Sequence, residues 1–273
     1  MKHPYRLLDL FSGIGGFSLG LERSGGFKTV AFCEIEPFCR RVLKKHWPEV
    51  PCYDDVRTLT ADRLAADGIG VDAICGGFPC QDVSIAQGAS RAGLDGERSG
   101  LWSEYARLIS ELRPRYVIVE NVAALLSLGI DRVLGDLAAI GYDAEWECIP
   151  AGAVGAPHIR DRFWLVGYAN HESQPAFAVN DETSRVSRLA SDAHSGDRYG
   201  RGRDVQMGRL EIARQVAEAG LPGGIEWSTE PAVGRVAHGV PNRVDRLRAL
   251  GNAVVPQIPE LLGRAILAAE GVS

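Results

Sequence analysis

A glycine-rich turn, two isolated acids, a cysteine after a proline and an acid–asparagine pair are the chemistry-bearing features of this 273-residue chain. The turn reads Asp9-Leu-Phe-Ser-Gly-Ile-Gly-Gly-Phe17. Gly13, Gly15 and Gly16 permit a tight turn and close approach of a ligand, and a helix start just behind them favours a carboxylate or phosphate. The spacing is neither the G-x-G-x-x-G of a dinucleotide site nor a phosphate loop ending in Gly-Lys-Ser/Thr. Glu34 closes the next apolar run, where an acid can accept from two ribose hydroxyls; Asp55 can face an adenine amino group. A structural turn with two surface acids fits the same residues. Cys80 lies in Gly76-Gly-Phe-Pro-Cys80-Gln, with Pro79 fixing the backbone before it. Its thiol is a nucleophile only as thiolate, so a lowered pKa or a neighbouring base is required. A buried apolar thiol is the alternative, and it is the reading given to Cys33, Cys39, Cys52, Cys75 and Cys148. Residues 82–100, with Gly88, Gly93, Gly96 and Gly100, read as a long loop able to act as a lid.

These residues sit at the ends of short apolar runs that alternate with helix-like stretches. Strands are expected over Arg6–Leu10, Val30–Glu34, Val71–Cys75, Tyr116–Val119, Glu145–Ile149 and Phe163–Val166. Helices are expected over Phe17–Arg23, Pro37–Lys45, Thr58–Ala66, Leu101–Glu111, Ile130–Ile140, Met207–Ala219 and Ile258–Ala269. The alternation predicts an α/β architecture, a mostly parallel sheet with helices on both faces. Ligands of such folds bind beyond the carboxyl ends of the strands, where Asp9, Glu34, Cys75 and Glu120 all fall. Near Asn170 the composition turns polar and loop-like.

Composition narrows the class. Charged residues are 24%, hydrophobic residues 45% and the net charge is −5, which excludes a disordered tail or a globally basic nucleic-acid binder. Local excess exists: residues 183–214 hold seven Arg against four acids, a local +3. That segment is either a basic surface or a solvated face. Six cysteines without regular pairing do not read as a secreted disulfide scaffold. Cys75 and Cys80 have no second Cys/His pair to complete a zinc site, so no metal is expected. The absence of an eighteen-residue apolar run or a signal-like start predicts a cytoplasmic protein without a membrane span.

Taken together, the motifs resemble those of the DNA (cytosine-5) methyltransferase family, of bacterial or phage type with a short target-recognition region. The resemblance rests on Asp9–Phe17, Glu34-Ile35, Asp55, Phe78-Pro79-Cys80-Gln81, Glu120-Asn121-Val122, Pro157-His-Ile-Arg160-Asp-Arg162 and Gly251-Asn252-Ala253-Val254-Val255, in that order. It covers residues 5–169 and 245–269; His158 stands where Gln is commoner. It implies a Rossmann-like S-adenosyl-L-methionine-dependent methyltransferase fold plus a small loop-rich recognition region. The implied divisions are 1–169 catalytic and cofactor-binding, 170–244 target recognition, and 245–273 a segment returning to the catalytic domain.

The resemblance implies methyl transfer from S-adenosyl-L-methionine to C5 of a flipped cytosine in duplex DNA, without a metal. Cys80 is the implied nucleophile at C6, Glu120 the acid at N3 and Arg162 the donor near O2, with Arg160 supporting the loop. Implied cofactor residues are Asp9, Phe11, Ser12, Gly13, Gly15, Gly16, Glu34, Ile35, Asp55, Phe78, Asn252 and Ala253. Base flipping assigns residues 82–100, with Ser84, Arg91 and Arg98, to a clamp on the DNA. Arg185, Arg188, Arg198, Arg201, Arg203 and Arg209 are candidates for phosphate or guanine contacts. Residues 170–229 leave room for reading a short target of about 4 base pairs. The segment 230–243 stands where the family has an Arg-rich helical motif, and reads as an abbreviated form of it. A tRNA or RNA cytosine methyltransferase and a catalytically silent DNA binder are the rival readings. A monomer is expected, with any restriction endonuclease a functional rather than physical partner.

Overall fold

The computed structural model describes residues 3–79, 100–169 and 243–271. They build one seven-stranded sheet: β1 (Tyr5–Leu10), β2 (Phe27–Cys33), β3 (Cys52–Tyr53), β4 (Ala73–Gly76), β5 (Tyr116–Val122), β6 (Tyr142–Pro150) and β7 (Asp161–Ala169). The order across the sheet is β3-β2-β1-β4-β5-β7-β6. The pairs from β3 through β5 are parallel, and β7 runs antiparallel to both β5 and β6. A parallel pair needs a crossover of a dozen or more residues. Only residues 151–160 separate β6 from β7, too few for a helix to recross the sheet, so the chain reverses.

The helices are α1 (Gly16–Arg23), α2 (Pro37–His46), α3 (Ala61–Ala66), α4 (Leu101–Leu112), α5 (Leu125–Leu128), α6 (Ile130–Ile140), α7 (Arg243–Asn252) and α8 (Gln257–Ala269). Strand side chains alternate between two cores, as the period of two demands. Leu8, Leu10, Ile74, Val117 and Val119 pack with α3, α4 and α6. Leu7, Ala73, Cys75 and Ile118 pack with α1 and α8. Because β1 lies between β2 and β4, the chain leaves it in one direction and later returns on the other side. That switch point sets the crevice, with the glycine turn after β1 and residues 77–79 after β4 on its rims.

Several expected strand bounds move by one to three residues, with β2 starting at Phe27 and β6 at Tyr142. The helix expected over Thr58–Ala66 starts at Ala61, because Thr58 is spent in a turn: its N and Oγ1 donate to Asp55 O at 3.1 and 3.0 Å. Thr60 then caps the helix, accepting from Arg63 N at 3.2 Å. The helix α7 is not expected from the sequence, because it lacks an apolar stripe: Val244, Leu247 and Leu250 are exposed and Ala249 is buried. The expected helix Met207–Ala219 lies outside the described residues.

Candidate active site

The glycine turn leaves β1 with Phe11 at φ 51° and Gly13 at φ 55°. Ser12 Oγ donates to Asp9 O at 2.5 Å and Cys33 O at 3.3 Å, tying the turn to β2. Glu34 is buried and accepts from Gly13 N at 2.7 Å through Oε2 and from Glu36 N at 2.8 Å through Oε1. Burial pushes its carboxyl up, and those backbone N–H groups oppose the shift. Ile35 follows it, 58% exposed. The three turn glycines have different reasons to be small. A Cβ on Gly13 would meet open space, one on Gly15 the Trp47 ring at 2.7 Å, and one on Gly16 Val254 Cγ2 at 2.8 Å. Gly15 and Gly16 are thus required by the protein's own packing, while Gly13 leaves a bare left-handed backbone beside a buried acid and an exposed apolar side chain. That combination fits a nucleoside: hydroxyls for Glu34, a flat apolar ring for Ile35, and close approach at Gly13.

Phe11, Phe78 and Asp9, also assigned to the cofactor by resemblance, pack against the protein's own core. Phe11 stacks on Tyr105 with centroids 6.3 Å apart, and the buried Phe78 packs on Trp102 at 5.3 Å. Asp9 is 0% exposed. Its Oδ2 accepts from Ser18 Oγ at 2.7 Å and Ser18 N at 3.3 Å, anchoring α1, and Cys75 is its register partner on β4. Its Oδ1 has no hydrogen-bond partner among the described residues. Burial pushes this carboxyl up to about 7, against the Ser18 bonds that lower it. The folded state therefore holds a proton that the unfolded chain loses at ordinary carboxylate pH. This contribution to stability is complete below the unfolded pKa and disappears as pH rises through about 7. Asp9→Asn, which keeps the shape and removes the titration, should flatten part of the fall in urea-unfolding free energy between pH 4 and 7. Parallel wild-type and variant curves would count against a protonated Asp9.

Across the crevice, Glu120 on β5 sits opposite Trp164 on β7, and Arg162 lies two register positions further along, opposite Val122 and on the same face of the sheet. Glu120 is 8% exposed, and its Oε1 meets Arg162 Nε at 3.0 Å. Burial pushes the Glu120 carboxyl up to about 7; the Arg162 and Arg160 charges only moderate this. Arg160 has φ 26° and donates from Nη1 to Gly251 O at 2.7 Å. Burial and the neighbouring Arg162 charge lower its pKa. Ala151, Trp164, Val254, Val255 and Ile258 complete the wall around this acid and these two arginines. Gly77, two residues before Pro79, leaves room for the acid: a Cβ there would lie 2.6 Å from Glu120 Oε2. Asn121 points to the other face of the sheet. Its Nδ2 donates to Phe78 O at 3.2 Å, and its Oδ1 accepts from Val122 N at 2.8 Å.

The structure thus brings Glu120, Arg160 and Arg162 together, and Gly13, Glu34 and Ile35 together. Asp55 stands at the end of the short β3 with Oδ1 accepting from Arg57 N and Nε, both at 3.0 Å, which holds its carboxyl below the ordinary range. Asn252 is the exposed last residue of α7, and Ala253 follows with its N donating to Leu250 O at 3.3 Å. Gly77 and Trp164 belong to the site without having been singled out in the sequence; the Gly76-Gly77 doublet was the available signal for the first. Cys80, Ser84, Arg91, Arg98 and the six candidate DNA-contacting arginines from 185 to 209 lie outside the described residues. Among the described residues no three His, Cys, Asp or Glu gather as metal ligands, and no helix is long and apolar enough to cross a membrane.

A mostly parallel sheet with an antiparallel β7, a glycine turn after β1 and an acid after β2 is the Rossmann-like fold of the S-adenosyl-L-methionine-dependent methyltransferases. Residues 5–219 match the family described as C-5 cytosine-specific DNA methylase, and the chain belongs to that family. A relative is the Type II methyltransferase M2.BsuMI of Bacillus subtilis, 36% identical over 169 residues, which are 59% of this chain and 41% of that protein. The chain spans only about two fifths of the length of such curated relatives. Among solved structures, a DNA modification methyltransferase encoded within an E. coli prophage superposes with TM-score 0.52 and 27% identity, covering 60% of this chain and 47% of that one. The Dnmt2 methyltransferase of S. pombe superposes over 97% of this chain and 99% of its own with TM-score 0.61; at 16% identity this likeness concerns the fold alone.

Proposed function

We propose that this chain methylates C5 of a cytosine flipped out of duplex DNA, with S-adenosyl-L-methionine as methyl donor and no metal. The buried Glu120, paired with the half-buried Arg162 beside the strand end that leads to Cys80, supports this reading most. When bound, the cofactor supplies an electrophilic methyl sulfonium. Glu34 accepts its ribose hydroxyls, Gly13 admits its backbone-side atoms, and Ile35 and Asp55 take the adenine. Cytosine C5 is a weak nucleophile until the Cys80 thiolate adds at C6, which makes C5 enamine-like. Charge then builds toward N3 and O2 of the pyrimidine. Neutral Glu120, with its carboxyl pushed up to about 7, donates a proton at N3, and Arg162 donates toward O2. Once C5 carries the methyl group, its proton leaves to a water, and the C6–S bond breaks as the N3 proton returns to Glu120, giving back the Cys80 thiolate and neutral 5-methylcytosine.

Residues 170–244 take the recognition role, with their arginines on phosphates and bases, and residues 82–100 clamp the DNA. The protein acts in the cytoplasm as a monomer. Any restriction endonuclease is a functional partner, not a physical one.

The test is transfer of labelled methyl groups to unmethylated mixed-sequence duplex DNA and, separately, to tRNA, with products mapped at base resolution. Label at cytosine C5 within one short DNA motif is the expected result. Label on tRNA alone would move the substrate to RNA. Specific DNA binding without transfer would make the chain a silent binder.

A further inference from the structure

The segment carrying Asp55 is gripped by one side chain of α4. Arg107 donates from Nη2 to Val56 O at 3.0 Å and to Leu59 O at 2.9 Å. Its Nε is held by Glu104 at 2.8 Å and its Nη1 by Glu111 at 2.7 Å, one partner on each side along the helix. Glu111 also accepts from Ala61 N at 3.0 Å, fixing the first residue of α3. Inside this clamp the backbone of residues 55–58 is closed by the Thr58 bonds to Asp55 O. The guanidinium therefore fixes the carbonyl immediately after Asp55 and the one that ends the turn. Only a planar fork can do this while two acids hold its remaining edge; an ammonium lacks the geometry. The side chains of Val56 and Leu59 are already buried, so burial holds the segment in the fold. What the arginine adds is the orientation of the peptide next to the Asp55 carboxylate.

We propose that Arg107 is a positioning residue for cofactor selectivity: by fixing the 55–59 turn it sets where the Asp55 carboxylate meets the 6-amino group of adenine. This rests on the assignment of Asp55 to adenine in the proposed function. An acid that must accept from an amine rejects a 6-oxo base, and that rejection is sensitive to displacement of about 1 Å.

Titration calorimetry of the full chain tests this with two probes, S-adenosylhomocysteine and the analogue carrying hypoxanthine instead of adenine. Wild type should prefer adenine by about tenfold or more, a ratio typical of one charge-assisted hydrogen bond. In Arg107→Met and Asp55→Asn the ratio should shrink to about threefold or less, with Arg107→Lys between. Equal weakening of both probes in the Arg107 variants, with the wild-type ratio kept, overturns the proposal and leaves the arginine a brace. An unchanged ratio in Asp55→Asn overturns it differently, by removing Asp55 from the adenine. If Arg107→Met does not fold, Arg107→Lys and Glu111→Gln carry the same comparison.

Discussion

Replacing Glu120 by glutamine should lower methyl-transfer turnover by about 10²–10⁴-fold, the range for loss of a positioned acid or a charge-stabilising donor. The amide can still reach N3 but cannot transfer a proton to it. Cofactor affinity should change little, because Glu34 and Gly13 lie on the other rim of the crevice. Stability should fall modestly, since the glutamine oxygen still accepts from Arg162 but no longer offers it a negative charge. The pH profile separates the chemical loss from a packing loss. With its carboxyl pushed up to about 7, wild-type Glu120 is protonated below that pH, and the rate should decline as pH rises through it. Glu120→Gln should lose that decline. Gly77→Ala should reproduce the slow rate without replacing an ionisable group, because its methyl would displace Glu120 Oε2. Cys80→Ala should remove transfer altogether, as no other group is assigned to activate C5. Single-turnover rates across pH 5–9 decide this: a Glu120→Gln profile that follows wild type would remove the acid role.

Much of the sheet and its strand-end acids was legible because their signals are local. Apolar runs ending in Asp9, Glu34 and Glu120 placed those acids at strand ends, and all of those strands exist in the sheet. Pro37 at the start of α2 and the period of α4 and α6 gave the helices nearly to the residue. What stayed hidden depends on neighbours far along the chain. Nothing local shows that Gly15 is small for Trp47 and Gly16 for Val254, so all three turn glycines read alike. Asp9 and Phe78 carried family signatures, but the sheet and α4 enclose them. The two-residue β3 and four-residue α5 are too short to carry a period. α7 is long enough but has no apolar stripe, because it covers little of the core. Nothing local marks Arg107; only the fold brings the Val56 and Leu59 carbonyls to it.

The same Gly→Ala change should have opposite signs in two helices. In α6, a Cβ on Gly135 would meet nothing within 4 Å, so Gly135→Ala gains helix propensity, about 1 kcal/mol. In α1, a Cβ on Gly20 would fall 2.1 Å from Pro256 O and 2.7 Å from Pro259 Cγ. The propensity gain there is the same, but a carbonyl cannot rotate away as a flexible side chain can. Overpacking costs about 1–3 kcal/mol and more where backbone must move, so the clash wins by about 2 kcal/mol or more. For a chain of this size that is a Tm lower by about 4–8 °C for Gly20→Ala, against a rise of about 2–4 °C for Gly135→Ala. The contact is reciprocal: Gly263 of α8 leaves room for Ser24 at the end of α1, where a Cβ would come within 2.7 Å of its Oγ. Forcing α1 and α8 apart also moves Val254, Val255 and Ile258, which wall the Glu120 site. Gly20→Ala should therefore lose activity at temperatures where it remains folded, whereas Gly135→Ala should not. Thermal unfolding beside turnover at 20 °C reads both effects. A Gly20→Ala protein as stable and active as wild type would mean that the C-terminal helix does not seat on α1 as closely as Gly20 and Gly263 allow.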